Sequence, residues 1–136
     1  MSRPPEGEIP LETEGDIVVA RRTVREIASQ LGFGPTDVTR IVTAASELAR
    51  NVFQYAGKGK MQWRNIESSG PSGLELRFLD QGPGIADVNL ALQEGYSTGE
   101  GLGLGLPGAK RLMDEMEIQT TPGQGTKVTV KKWRKS

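Results

Sequence analysis

The sequence predicts an α+β fold, a two-layer sandwich with a mixed, mostly antiparallel sheet and helices on one face. Three observations carry this. Two long segments with helical spacing follow one another directly, over residues 16–31 and 35–55. Segments alternating with a period of two lie before, after and towards the end of the chain. The resulting order, strand, helix, helix, strands, helix, strands, lacks the regular β–α alternation of a parallel α/β sheet. The chain has 136 residues, enough to bury roughly 68–70% of its unfolded surface in one core. Residues 1–7, polar with Pro4, Pro5 and Gly7, read as a loose tail, and 8–136 as a single domain without internal repeats.

Each element has its own signal. Ile9, Leu11 and Thr13 alternate with glutamates over Glu8–Glu14, an expected edge strand. Asp16 can cap a helix running to about Leu31, whose apolar side is Ile17, Ala20, Val24, Ile27, Ala28 and Leu31. Gly32 suits its end. Pro35 opens the second helix at a position where a missing N–H is harmless. Its apolar stripe runs from Val38 to Val52. Lys60–Glu67 and Leu74–Asp80 read as two strands joined by a turn rich in Ser, Gly and Pro. In the second of these, Leu74, Leu76, Phe78 and Asp80 share a face, which puts an acid on a core row. A short helix is expected over 87–93, then a longer one from Leu106 to about Met116 with Pro107 in its first turn. Glu117–Thr121 and Lys127–Trp133 form the last antiparallel pair.

Composition removes several kinds of chemistry. Seventeen basic and seventeen acidic residues give a formal net charge of zero, which argues against binding nucleic acid by bulk charge. Without cysteine or histidine there are no disulfides, thiol nucleophiles, histidine bases or histidine metal ligands. A metal must be held by oxygen, which favours Mg²⁺. No segment approaches the ~20 apolar residues of a membrane span, and the N-terminus has no apolar signal core. A cytoplasmic protein is the expectation.

Glycine is unevenly spread. Eight of the eighteen lie between Gly82 and Gly108, where average usage predicts roughly two. A solvated linker would not also carry Leu102, Leu104 and Leu106. Gly101-Leu102-Gly103-Leu104-Gly105 leads into a helix, so it reads either as a phosphate-binding loop or as a glycine hinge. Glu47 and Asn51, four apart, share a helix face away from the apolar stripe. They read either as a solvated polar face or as a proton acceptor beside an Mg²⁺ ligand. Asp80, followed by Gln81-Gly82-Pro83-Gly84, either starts a turn or accepts from a base amine. The basic run Lys127, Lys131, Lys132, Arg134 and Lys135 reads as a solvated strand face and tail. Gly103-Leu-Gly-Leu-Pro-Gly108 matches a dinucleotide fingerprint by letter, but no strand precedes it. Gly95-Tyr-Ser-Thr-Gly99 matches a nucleophile elbow, but no histidine exists to serve it.

Four segments in order, Glu47-Leu-Ala-Arg-Asn51, Asp80-Gln-Gly82-Pro-Gly84, Gly101-Leu-Gly103-Leu-Gly105 and Gly125-Thr126, resemble the nucleotide-binding boxes of the GHKL ATPase/kinase superfamily. Ala45–Asn51, Tyr55–Gly59 and Gly105–Asp114 resemble in particular the small bacterial serine/threonine kinases of the RsbT type. The resemblance implies a Bergerat-type sandwich that binds ATP with Mg²⁺. It implies that Asn51 ligates the metal and that Glu47 accepts the proton of the attacking hydroxyl. Asp80 would accept from the adenine amine, with a water bridging to Thr126. Gly82 and Gly84 would let the backbone pass close to the base. Gly101, Leu102, Gly103 and Gly105 would cover the phosphates, and Arg50 and Lys58 are candidate charges on the phosphate side. The implied partners are STAS-domain antagonist and stressosome scaffold proteins as substrates, and a PP2C-type phosphatase or other output protein, with no nucleic acid and no membrane. An anti-sigma factor kinase and a non-catalytic nucleotide-gated module are the alternatives. Glu47 favours a hydroxyl acceptor, because histidine kinases of the superfamily usually carry asparagine there.

Overall fold

The computed structural model describes residues 3–82 and 106–134. The strands are β1 (Glu6–Leu11), β2 (Gly59–Glu67), β3 (Ser72–Asp80), β4 (Glu115–Thr121) and β5 (Gly125–Trp133). The helices are α1 (Glu14–Gln30), α2 (Pro35–Ala56) and α3 (Leu106–Leu112). The sheet order is β1-β2-β3-β5-β4. Every neighbouring pair of described strands is antiparallel, so the parallel pairing allowed by a mixed sheet does not occur among them. The short helix expected over 87–93 lies outside the described residues.

The alternation in the strands builds the core directly. Ile9 pairs with Met61, Met61 with Phe78, and Phe78 with Val128. This places one apolar row across four strands on the side the helices cover. Leu74, Leu76 and Val130 extend it. From the helices, Ala20, Val24, Ile27 and Ala28 of α1 and Ile41, Ala45, Leu48 and Ala49 of α2 close over that face. Fully burying such an aliphatic or aromatic side chain contributes roughly 1.5–3 kcal/mol. On the opposite face Glu75 is covered by Arg64 and Arg77, at 3.0 and 3.3 Å.

Several boundaries differ from the sequence expectation, each for a local reason. β1 starts at Glu6 rather than Glu8 because the preceding residues are tied down. The Asn65 N–H donates to the Pro5 carbonyl at 2.8 Å, the Trp63 indole N–H to that of Pro4 at 3.1 Å, and Arg3 reaches Glu26 at 2.8 Å. β1 stops at Leu11 because the Asp16 carboxylate captures the N–H groups of Glu12 and Thr13, at 2.8 and 3.0 Å. Thr13, not Asp16, is therefore the N-cap of α1, and Asp16 closes its first turn from within. These amides, Glu12's first, hold the Asp16 carboxyl below its usual range. α3 ends at Leu112, short of Met116. Pairing with β5 outcompetes further helix there: the Asp114 N–H donates to the Lys131 carbonyl at 2.9 Å, and Met116 sits opposite Val130.

Lys132 departs furthest from its expected place. It lies on the core-facing row of β5, two residues beyond Val130, and is only 5% exposed. Its Nζ donates to the Leu112 carbonyl at the end of α3, at 2.9 Å. Asp114 Oδ1 and Asp37 Oδ1 lie 3.5 and 3.9 Å away. A cation at a helix C-terminus satisfies an orphan carbonyl and favours the dipole. Lys132 is thus a buried link from β5 to α2, the end of α3 and the turn before β4, not part of a solvated basic face.

Candidate functional site

The site lies where α2 crosses the far end of the sheet. Glu47 and Asn51 are half-buried on the flank of α2, one turn apart, beside the fully buried Leu48 and Ala49. The Arg50 guanidinium reaches the Glu47 carboxylate at 3.5 Å, with both groups partly in solvent. Such a pair has little energetic weight, so it orients the carboxylate without committing the arginine. The Asn51 carboxamide has no hydrogen-bond partner among the described residues, which leaves its oxygen available.

At the sheet end, Asp80 faces Thr126 across the β3–β5 pairing. Asp80 Oδ1 accepts the Gly82 N–H at 2.9 Å. Burial pushes the Asp80 carboxyl above its usual range, and the backbone N–H groups of Gly82 and Thr126 partly offset this. Two glycines make the geometry possible. A methyl group on Gly125, whose φ is +121°, would come within 2.2 Å of the Asp80 carbonyl oxygen. One on Gly82 would come within 2.7 Å of the Ala56 Cβ. The β4–β5 hairpin and the residues after β3 therefore pack as bare backbone, against Asp80 and against the last turn of α2 respectively. Ala56 lies five residues after Asn51, roughly 7.5 Å along the helix.

Beside Asp80 a recess of about 420 Å³ opens, lined in part by Lys58, Lys60, Leu79 and Gln81. This places Lys58 at the sheet end next to Asp80. Among the described residues no cluster of three or more acidic side chains could hold a metal. The single available oxygen of Asn51 fits a divalent ion that takes its other ligands from phosphate and water, as Mg²⁺ does.

The structure thus brings Glu47 together with Asn51, and Asp80 with Thr126 and Gly82. Gly84, Gly101, Leu102, Gly103 and Gly105 lie outside the described residues. A neighbour of these candidates that the sequence did not single out is Thr120. It pairs with Thr126 in the β4–β5 register, and its hydroxyl lies 3.0 Å from that of Thr126. The available signal was a pair of threonines placed symmetrically about Pro122-Gly-Gln124.

A five-stranded antiparallel sheet covered on one face by helices, with an acid ending a core row beneath α2, is the architecture of an ATP-binding α/β sandwich. Residues 9–132 match the family described as Histidine kinase-like ATPase domain. The chain belongs to that family. It is 50% identical over 121 residues to the Serine/threonine-protein kinase RsbT of Bacillus subtilis (strain 168), covering 89% of this chain and 91% of that protein. It is 32% identical over 119 residues to the Anti-sigma F factor of Thermoanaerobacter sp. (strain X514), covering 84% and 82%. The Anti-sigma F factor of Halalkalibacterium halodurans is 34% identical over 118 residues, covering 83% and 81%. Among the described residues no helix is long and apolar enough to cross a membrane.

Proposed function

We propose that the chain is an ATP-dependent serine/threonine protein kinase of a bacterial partner-switching pathway, acting in the cytoplasm on STAS-domain proteins of a stressosome. When released by its STAS-domain antagonist it would activate a PP2C-type phosphatase or another output protein. The observation that carries the reading is the Glu47 carboxylate, half-buried one turn before Asn51 and paired with Arg50 at 3.5 Å. Binding a nucleotide does not need a base at that position, whereas transfer to a hydroxyl does.

Asp80 accepts from the adenine amine, and Gly82 lets the chain pass close to the base. Thr126 shares in holding that edge through a bridging water. Asn51 would hold Mg²⁺, which when bound neutralises charge on the phosphates. Gly84 would pass near the base, and Gly101, Leu102, Gly103 and Gly105 would cover the phosphates with backbone N–H groups. Glu47 takes the proton from the substrate Ser or Thr hydroxyl as its oxygen attacks the γ-phosphorus. The bond from that phosphorus to the bridging oxygen breaks, and ADP departs with the electron pair. Arg50 can swing from Glu47 towards the transferred phosphoryl group.

The test is incubation of the purified chain with Mg-ATP and a STAS-domain protein, followed by mass mapping of phosphate on Ser or Thr. Failure to take up ATP, or to transfer phosphate to any such protein, overturns the reading. The similarity to anti-sigma F factors at 30–34% identity favours a second reading, a kinase that also sequesters a sigma factor. Affinity capture with a sigma factor and a STAS protein side by side separates the two.

A further inference from the structure

We infer that Val52 is a positioning residue: seated over Gly59, it fixes how α2 stands against Asp80 and so places Asn51 relative to the base end of the site. The inference rests on the proposal that Asn51 holds Mg²⁺ and Asp80 the base. The core-facing row at this end of the sheet runs Leu11, Gly59, Asp80, Thr126. Gly59 is the neighbour of Asp80 on β2, and its missing side chain leaves a notch in the row. Val52, only 4% exposed, fills that notch from above. A methyl group on Gly59 would come within 2.6 Å of Val52 Cγ1 and 3.2 Å of the Asp80 Cβ, and would collide with the Leu79 carbonyl oxygen. The notch can therefore be filled from the helix and not from the strand.

One turn further along α2 the arrangement repeats. Ala56 sits against Gly82 so closely that a methyl group there would lie 2.7 Å from the Ala56 Cβ and 3.3 Å from Asp80 Oδ1. Val52 and Ala56 are four apart and share a ridge of the helix, which the buried Leu48 continues. Both glycine seats adjoin Asp80, one on the neighbouring strand and one just beyond the end of β3. A ridge seated at two points can neither roll nor slide over the sheet. Glu47 and Asn51 form the adjoining ridge, each about 100° round the helix from the residue that follows it. Any shift of α2 at Val52 therefore reappears at Asn51, its chain neighbour, while Asp80 stays with the sheet. Val52 is the larger of the two plugs, so its shape sets the spacing between the metal end and the base end.

The experiment is calorimetric titration of ATP in Mg²⁺ and in EDTA into the wild-type chain, Val52→Ala, Val52→Thr and Val42→Ala. The reading is the ratio of the two affinities, which isolates the metal held from α2. The expected result is a fall of about tenfold in that ratio for Val52→Ala, with affinity in EDTA close to wild type. Val52→Thr keeps the branched shape of the plug and retains the wild-type ratio, although its buried hydroxyl lowers the melting temperature. Val42, 3% exposed on the same helix, lies well before the seat, and Val42→Ala makes the same truncation and retains the ratio. Should Val52→Ala not fold, Val52→Leu, which overfills the seat, replaces it with the same expected fall. An unchanged ratio in that variant, or an equal fall in Val52→Thr or Val42→Ala, overturns the role of Val52 and leaves the nucleotide site standing. A wild-type chain that takes up no ATP, or binds it equally in Mg²⁺ and EDTA, overturns the proposed site itself and the inference with it.

Discussion

Asp80 and Thr126 stand opposite each other on β3 and β5, and the Thr126 backbone N–H is one of two that steady the Asp80 carboxylate. The acid is held at the end of a row whose other members, Phe78, Leu76 and Leu74, are at most 1% exposed. It is functional in the proposed site and a burden to the fold.

That burden has a pH signature. The folded-state pKa of Asp80 is raised above the ordinary 3.8, chiefly by burial. Its ionisation therefore works against the folded state: the contribution of this one group is most favourable below about 3.8 and declines as pH rises from there through the folded pKa. Asp80→Asn removes this slope. The expected outcome is a melting temperature at pH 7 equal to or above that of the wild type, together with loss of ATP binding. A variant that melts early and still binds ATP would show that the carboxylate serves the fold.

Glu47→Ala tests the base. Phosphate transfer is expected to fall roughly 10²–10⁴-fold, the usual contribution of general-base catalysis, while the dissociation constant for ATP changes little. Transfer assays beside binding titrations measure the two separately, and an undiminished rate removes Glu47 from the mechanism.

Asn51→Ala tests the metal position. The residue is half-buried on the flank of α2, clear of the packed stripe, so circular dichroism should report an unchanged fold. Nucleotide affinity should drop in Mg²⁺ and drop far less in EDTA. Equal losses in both would assign Asn51 to the nucleotide alone.

Lys132→Met tests the buried link at the other end of β5. The substitution leaves Asp37 and Asp114 without their shared cation and the Leu112 carbonyl without its donor. Breaking a buried pair from one side costs about 3–5 kcal/mol. The lower end of that range, about 3 kcal/mol, is expected here, because Asp114 is partly in solvent and Arg40 still reaches Asp37 at 3.1 Å. Urea denaturation gives the value, and a loss below about 0.5 kcal/mol, the size of an ordinary surface change, would place Lys132 among solvated lysines.

Most of the fold is legible in the sequence because strand alternation and helix spacing follow from which face is buried. Leu74, Leu76, Phe78 and Asp80 announce both a core row and the acid that ends it. The pairing of Glu47 with Asn51 is likewise fixed by one helical turn. What could not be read depends on contacts between distant segments. Lys132 resembles its charged neighbours until the register sets it beside Leu74 and beneath α3. The end of α3 is decided by competition from β5, against the helix preference of Leu112 and Met113. Thr120 gains its meaning only from the hairpin that sets it against Thr126.

Gly82 and Gly125 give the proposed site a wall of main chain, with Ala56 and the Asp80 carbonyl too near for any side chain to intervene. Such a wall has no rotamers. It cannot swell to admit a bulkier ring or shrink around a smaller one, and point substitutions along it have nothing to reshape. Evolutionary change in the ligand of the proposed site must instead pass through the side chains beside that wall, which among the described residues include Asp80, Thr126, Lys58 and Gln81.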